Sequence, residues 1–99
     1  MNWYKFSQYG NLFSDREKII NYMKRNGHSL CHVPEEFRAD KKVVFEAVKS
    51  YGMALECAAD ELRDEEFIVM TAIKNNPAAI MFASPRLREK IQESELVGV

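Results

Sequence analysis

Four side chains in this 99-residue chain have the types and spacing for metal or thiol chemistry: His28, Cys31 and His32, with Cys57 further on. Imidazole nitrogen and thiolate sulfur are the usual ligands of zinc. The same set could place a cysteine nucleophile beside a histidine base. Both chemistries need more than this. Structural zinc sites pair their ligands as C-x-x-C, which is absent here. A cysteine enzyme needs an oxyanion hole and a carboxylate to orient the base, and no residues stand out for either. There is also no Gly-rich phosphate loop and no H-E-x-x-H. We therefore expect no metal, no cofactor and no catalytic residue, and assign the cluster to a packed turn.

Two sets of cations recur at one interval. Lys24, Lys49 and Lys74 are 25 residues apart, and so are Arg38, Arg63 and Arg88. A stripe of cations could meet phosphates or an acidic protein. The structural alternative is favoured: each lysine falls in the last turn of a helix, where it complements the macrodipole. Each arginine can pair with an acid near a unit boundary, such as Asp40 or Asp64, and acids interleave with both ladders.

Aromatic side chains crowd the N-terminal segment: Trp3, Tyr4, Phe6, Tyr9 and Phe13. They can cap an exposed helical end or anchor a protein partner, since Trp and Tyr dominate interface hot spots. Phe67 stands in a column otherwise held by Glu17 and Lys42. It is either covered by the C-terminal tail or open to a partner.

The 25-residue interval extends to the whole chain. Residues 14–38, 39–63 and 64–88 align without a gap. Ile19, Val44 and Val69 share a column, as do Met23, Val48 and Ile73, and Leu30, Leu55 and Ile80. Gly27, Gly52 and Pro77 coincide where a helix must stop. In the second unit Val44, Ala47, Val48 and Tyr51 follow the i, i+3, i+4, i+7 rule, predicting an amphipathic helix over 40–51 with Asp40 as N-cap. Ser14 and Glu17 form a capping box for the first unit. A shorter helix over 53–59 and a final turn over 60–63 complete the unit, and Ser84-Pro85 suits such a turn.

The columns also predict how units meet. The slot of Lys18, Val43 and Ile68 should face the preceding unit, and that of Ile20, Phe45 and Met70 the following one. Ile91 and Leu96 could cover Met70. Lys42, Glu46 and Lys49 should share the solvent face. The expected fold is an all-α compact array of three tandem 25-residue helical hairpin repeats. An aromatic cap at 1–13 precedes it, and a polar tail at 89–99, expected to fray, follows.

The second unit, from Asp40-Lys-Lys-Val-Val-Phe-Glu-Ala-Val-Lys49 through Gly52, Ala54-Leu55, Ala58 and Glu61-Leu62-Arg63, resembles the repeats of the domain of unknown function 4116 family. The third unit keeps Ala72, Ala83-Ser84, Leu87 and Arg88 but has Pro77 in place of the family's Gly. The first departs most, with Tyr22 for Ala and with His32 and Pro34 in its second half. The resemblance implies a helical array and no reaction. The short chain and its Met1-Asn2-Trp3-Tyr4-Lys5 start resemble small phage or mobile-element products, which implies a host protein or defence complex as target.

Composition narrows the class. Hydrophobic residues make up 46% and charged residues 29%, which excludes a disordered chain. A formal net charge of -1 argues against a general nucleic-acid binder. No apolar run is long enough for a membrane span, and the N-terminus lacks the apolar core of a secretion signal. We expect a cytoplasmic protein with free thiols and no membrane partner. The leading function is stoichiometric protein binding, as adaptor or inhibitor, at Trp3, Tyr4, Phe6, Tyr9 and Phe67. The alternative is nucleic-acid binding through Lys24, Lys49, Lys74, Arg38, Arg63 and Arg88. Homodimerisation is compatible with either.

Overall fold

A computed structural model describes the backbone of residues 12–98 and the side chains of residues 16–93. The aromatics Trp3, Tyr4, Phe6 and Tyr9 lie outside the described residues, as do the side chains of Phe13, Ser14 and Leu96. Among the described residues every regular element is helical. The order is α1 (Leu12–Met23), η1 (Gly27–His32), α2 (Glu35–Arg38), α3 (Lys41–Ser50), η2 (Gly52–Cys57), α4 (Asp60–Arg63), α5 (Glu66–Asn75), η3 (Pro77–Phe82) and α6 (Pro85–Gly98), where η denotes a 3-10 helix. One sequence of long helix, 3-10 helix and short helix thus recurs at the 25-residue interval. The short middle helix expected over 53–59 is a 3-10 helix ending at Cys57, the tighter form that suits a brief connector.

The long helices form where apolar spacing predicts them. In α3, Val43, Val44, Ala47 and Val48 are fully buried. Asp40 caps the helix, its carboxylate accepting from the N–H of Lys42 at 3.0 Å and of Val43 at 3.3 Å. In the third unit Pro85 opens α6 and the Ser84 hydroxyl accepts from the Leu87 N–H at 3.3 Å. The first unit differs from expectation: α1 begins at Leu12, so Ser14 sits inside the first turn and not at its cap. The stretch after Arg88 also differs. It continues α6 to Gly98, held by Ile91 against the core and by an ion pair from Lys90 to Glu66 at 2.7 Å.

The long helices pack side by side, α1 on α3 and α3 on α5, and the 3-10 helices do likewise, η1 on η2 and η2 on η3. One continuous core runs between the two layers, from Ile19 and Met23 through Val44 and Leu55 to Val69 and Leu87. The slot facing the preceding unit behaves as its residues suggest: Val43 and Ile68 are fully buried and Lys18 is exposed.

Gly27 and Gly52 have an unexpected role. Neither adopts a positive φ, so neither is a left-handed helix cap. Each instead lets its turn press on the next long helix. A Cβ at Gly27 would lie 2.1 Å from the Ala47 carbonyl oxygen, and one at Gly52 2.3 Å from that of Ala72. Ser50 and Asn75 close these contacts. The Ser50 hydroxyl accepts from the Gly27 N–H at 3.0 Å and donates to the Met23 carbonyl at 2.8 Å. The Asn75 side chain accepts from the Gly52 N–H at 2.7 Å and donates to the Lys49 carbonyl at 3.3 Å.

The cysteines correct a second expectation. Cys31 and Cys57 are joined in a disulfide, with Cα atoms 5.1 Å apart, and are not free thiols. The bond ties η1 to η2 across the first joint. Glu56 and Phe82 occupy the corresponding positions at the second joint, so it has no such tie. The linked residues are 26 apart in sequence. Reduction, or replacement of both by serine, should therefore lower the unfolding free energy by about 3 kcal/mol through loop entropy. Urea denaturation with and without dithiothreitol measures it, and an unchanged midpoint would show that the bond carries no stability.

Candidate protein-binding surface

Of the proposed partner-binding residues, Phe67 is the one among the described residues. It is 66% exposed, and the C-terminal helix does not cover it. Its ring stacks on Phe45, with centroids 5.2 Å apart and planes inclined by 15°. The pair forms because the Phe45 slot faces the following unit, where Phe67 lies in the first turn of α5. Met70, in the Phe45 column, has no such neighbour and is 46% exposed, not covered by the tail as expected. Phe45 and Phe67 make an apolar stack on the long-helix layer, and Met70 is exposed three residues after Phe67 on α5. A shallow groove beside it is lined by Arg16, Asp40, Lys41, Lys42, Phe45, Phe67 and Ile68.

Cations flank the stack. The ammonium groups of Lys42 and Lys49 stand 5.8 and 5.7 Å from the Phe45 ring centre. Lys24, Lys49 and Lys74 are all exposed; Lys49 and Lys74 lie in the last turns of α3 and α5 as expected, whereas α1 ends at Met23 and Lys24 falls in the turn that follows. Glu46 is not on the solvent face: it is 7% exposed and paired with Lys42 at 3.1 Å. Acids share the long-helix layer, since Glu17 on α1 and Glu66 on α5 are exposed. Glu35, Glu36, Glu56, Asp60 and Glu61 are exposed on the short-helix layer.

The arginine ladder lies apart from the lysines. Lys49 is in the last turn of α3, whereas Arg38 precedes its first, about 15 Å away along a ten-residue helix. Arg38, Arg63 and Arg88 are half-buried, and the Nε atoms of the first two are buried without a partner. Arg63 pairs with Asp60 of its own unit and Arg88 donates to the Met81 carbonyl. The boundary acids take other partners: Asp40 binds Arg16 at 2.6 Å, and Asp64 binds Arg86 at 3.0 Å and the Ser84 hydroxyl at 2.6 Å. The backbone at the arginines does join units, since the Arg38 and Arg63 carbonyls accept from the N–H of Ala59 and Ser84.

His28, Cys31 and His32 fall on η1. Cys31 is consumed by the disulfide, and the His28 ring meets Tyr51 edge-on at 6.2 Å. Among the described residues no group of three or more potential ligands converges as a metal site would require.

The sequence reading missed the joint-forming pairs Arg16–Asp40, Lys41–Glu65 and Glu66–Lys90, each 24 residues apart. The last pair reverses the charges of the others and keeps the attraction. Scanning the chain for complementary charges at one unit less one residue would have found them.

The family pattern for Domain of unknown function (DUF4116) matches residues 15–63 and again residues 40–88. The chain belongs to that family. The two matches overlap and are displaced by 25 residues (40 − 15), the interval of the helical units. No curated protein and no solved structure shows significant similarity to the chain. Among the described residues no helix is long and apolar enough to cross a membrane.

Burial alone would raise the Asp40 pKa. Hydrogen bonds from the Arg16 guanidinium and from the N–H groups of Val43 and Lys42 outweigh it and hold the carboxyl below its ordinary value. An unfolded aspartate titrates near about 3.9. The stability Asp40 contributes is therefore complete above that pH and is lost as pH falls through the lower folded value. Asp40→Asn, which keeps the capping oxygen, should destabilise the protein by about 1 kcal/mol at pH 7 and flatten the acid limb of a pH–stability curve. An acid limb identical to that of the unaltered protein would contradict the assignment.

Proposed function

We propose that the chain is a non-enzymatic protein-binding module: a three-unit helical array that engages its partner stoichiometrically, as adaptor or inhibitor. The exposed Phe67 ring stacked on Phe45, with Met70 beside it, is the observation that carries this reading. An aromatic placed on water in a column otherwise held by Glu17 and Lys42 contributes little to the core and much to an interface. The N-terminal aromatics Trp3, Tyr4, Phe6 and Tyr9 belong to the same proposal as cap or second contact. A host protein or defence complex is the target class that the resemblance to phage products implies. A cytoplasmic placement implies free thiols, and the Cys31–Cys57 bond argues against it.

A second reading, nucleic-acid binding, draws on the lysine ladder. Among the described residues no carboxylate lies in salt-bridge range of Lys24, Lys49 or Lys74. It predicts affinity that falls steeply with salt.

A pull-down from lysate of the source cells, at low and high salt, separates the two. Phe67→Ala, Trp3→Ala and a Lys24/Lys49/Lys74→Glu triple variant run beside the unaltered protein. The expected result is a protein partner in one-to-one ratio that persists at high salt and is lost with Phe67→Ala. Nucleic acid recovered at low salt, and lost with the triple variant, would overturn the proposal.

A further inference from the structure

We infer that the long-helix face of the second and third units takes an acidic amphipathic segment of the partner protein. This rests on the protein-binding reading above and names the chemistry of what binds.

The apolar part of the surface fits two anchors and no more. Phe67 and Met70 lie three residues apart on α5, one helical turn, and both are exposed. One face of the Phe67 ring is taken by Phe45, leaving the other open. An amphipathic helix that presents apolar side chains at i and i+3 or i+4 matches this spacing. A single-stranded nucleic acid would need a series of ring faces for successive bases.

The rim decides the charge of the segment. Lys49 faces the Phe45 ring at 5.7 Å, and Lys74 follows Met70 by one turn. Neither has an ion pair among the described residues. Glu46, the one acid in α3, is buried and neutralised by Lys42, so it does not offset them. A neutral or basic segment seated on Phe67 would strip water from these ammonium groups and return nothing. Asp or Glu flanking the anchors would pair with them, raising both association rate and selectivity.

Panning a displayed library of random 16-residue peptides on the full-length protein tests the inference without a known ligand. Parallel selections use Phe67→Glu and Lys49→Glu/Lys74→Glu, each first shown by circular dichroism to keep its helix content. The expected winners combine aromatic or aliphatic anchors one turn apart with an excess of Asp and Glu. As synthetic peptides they should bind at least tenfold more weakly to either variant. Winners lost on Phe67→Glu but lacking acidic excess would overturn the acidic class while sparing the binding surface. Identical winners on all three proteins, or none on any, would overturn the surface as well. A fluorescent thymidine 20-mer bound by the unaltered protein and released by the lysine variant would overturn both in favour of nucleic acid.

Discussion

Everything else in this molecule depends on how closely one unit's turn can approach the next unit's long helix. At Gly27 and Gly52 the backbone rests on the carbonyls of Ala47 and Ala72, where any side chain would collide. The approach brings each glycine N–H within reach of a polar side chain at the end of the following helix, Ser50 or Asn75. That side chain also takes up a carbonyl at the end of the preceding helix, so a single residue satisfies groups a helix terminus leaves open. In the third unit the column holds Pro77, which has a side chain at this position and no N–H to donate.

Close joints have functional consequences. They align equivalent residues of successive helices, which turns Lys24, Lys49 and Lys74 into a row. They also set Phe45 against Phe67, so an aromatic from the second unit supports one from the third. Joint electrostatics then reinforce the stacking at the other end of the helices, where Arg16, Lys41 and Glu66 each face an opposite charge on the following element. The exposed pairs Lys41–Glu65 and Glu66–Lys90 are individually weak, whereas Arg16–Asp40 is part-buried and hydrogen-bonded.

The helical class, the Asp40 cap and the sides of the helices that face neighbours were legible in the sequence, because each is a periodic or local signal. Val43 and Ile68 announced burial by replacing Lys18, and Phe67 announced exposure by replacing charge. What stayed hidden was relational. Gly52 looks the same in sequence whether it frees a backbone angle or makes room for a neighbour. Cys31 and Cys57 occupy different columns, and only stacking with a one-residue slip makes them partners. Glu46 follows the solvent periodicity of its own helix, and its burial is a property of the packed array.

The central claim is that contact at the glycines sets the spacing of the array. Gly52→Ala tests it most directly, with Pro77→Ala, the same column without a following joint, as comparison. Equilibrium urea unfolding should show Gly52→Ala less stable by roughly 2 kcal/mol, the cost of overpacking a tight site. Pro77→Ala should stay within about 1 kcal/mol of the unaltered protein. If Gly52→Ala unfolds at the same urea concentration as the unaltered protein, the turn does not bear on the neighbouring helix and the account of the joints is wrong.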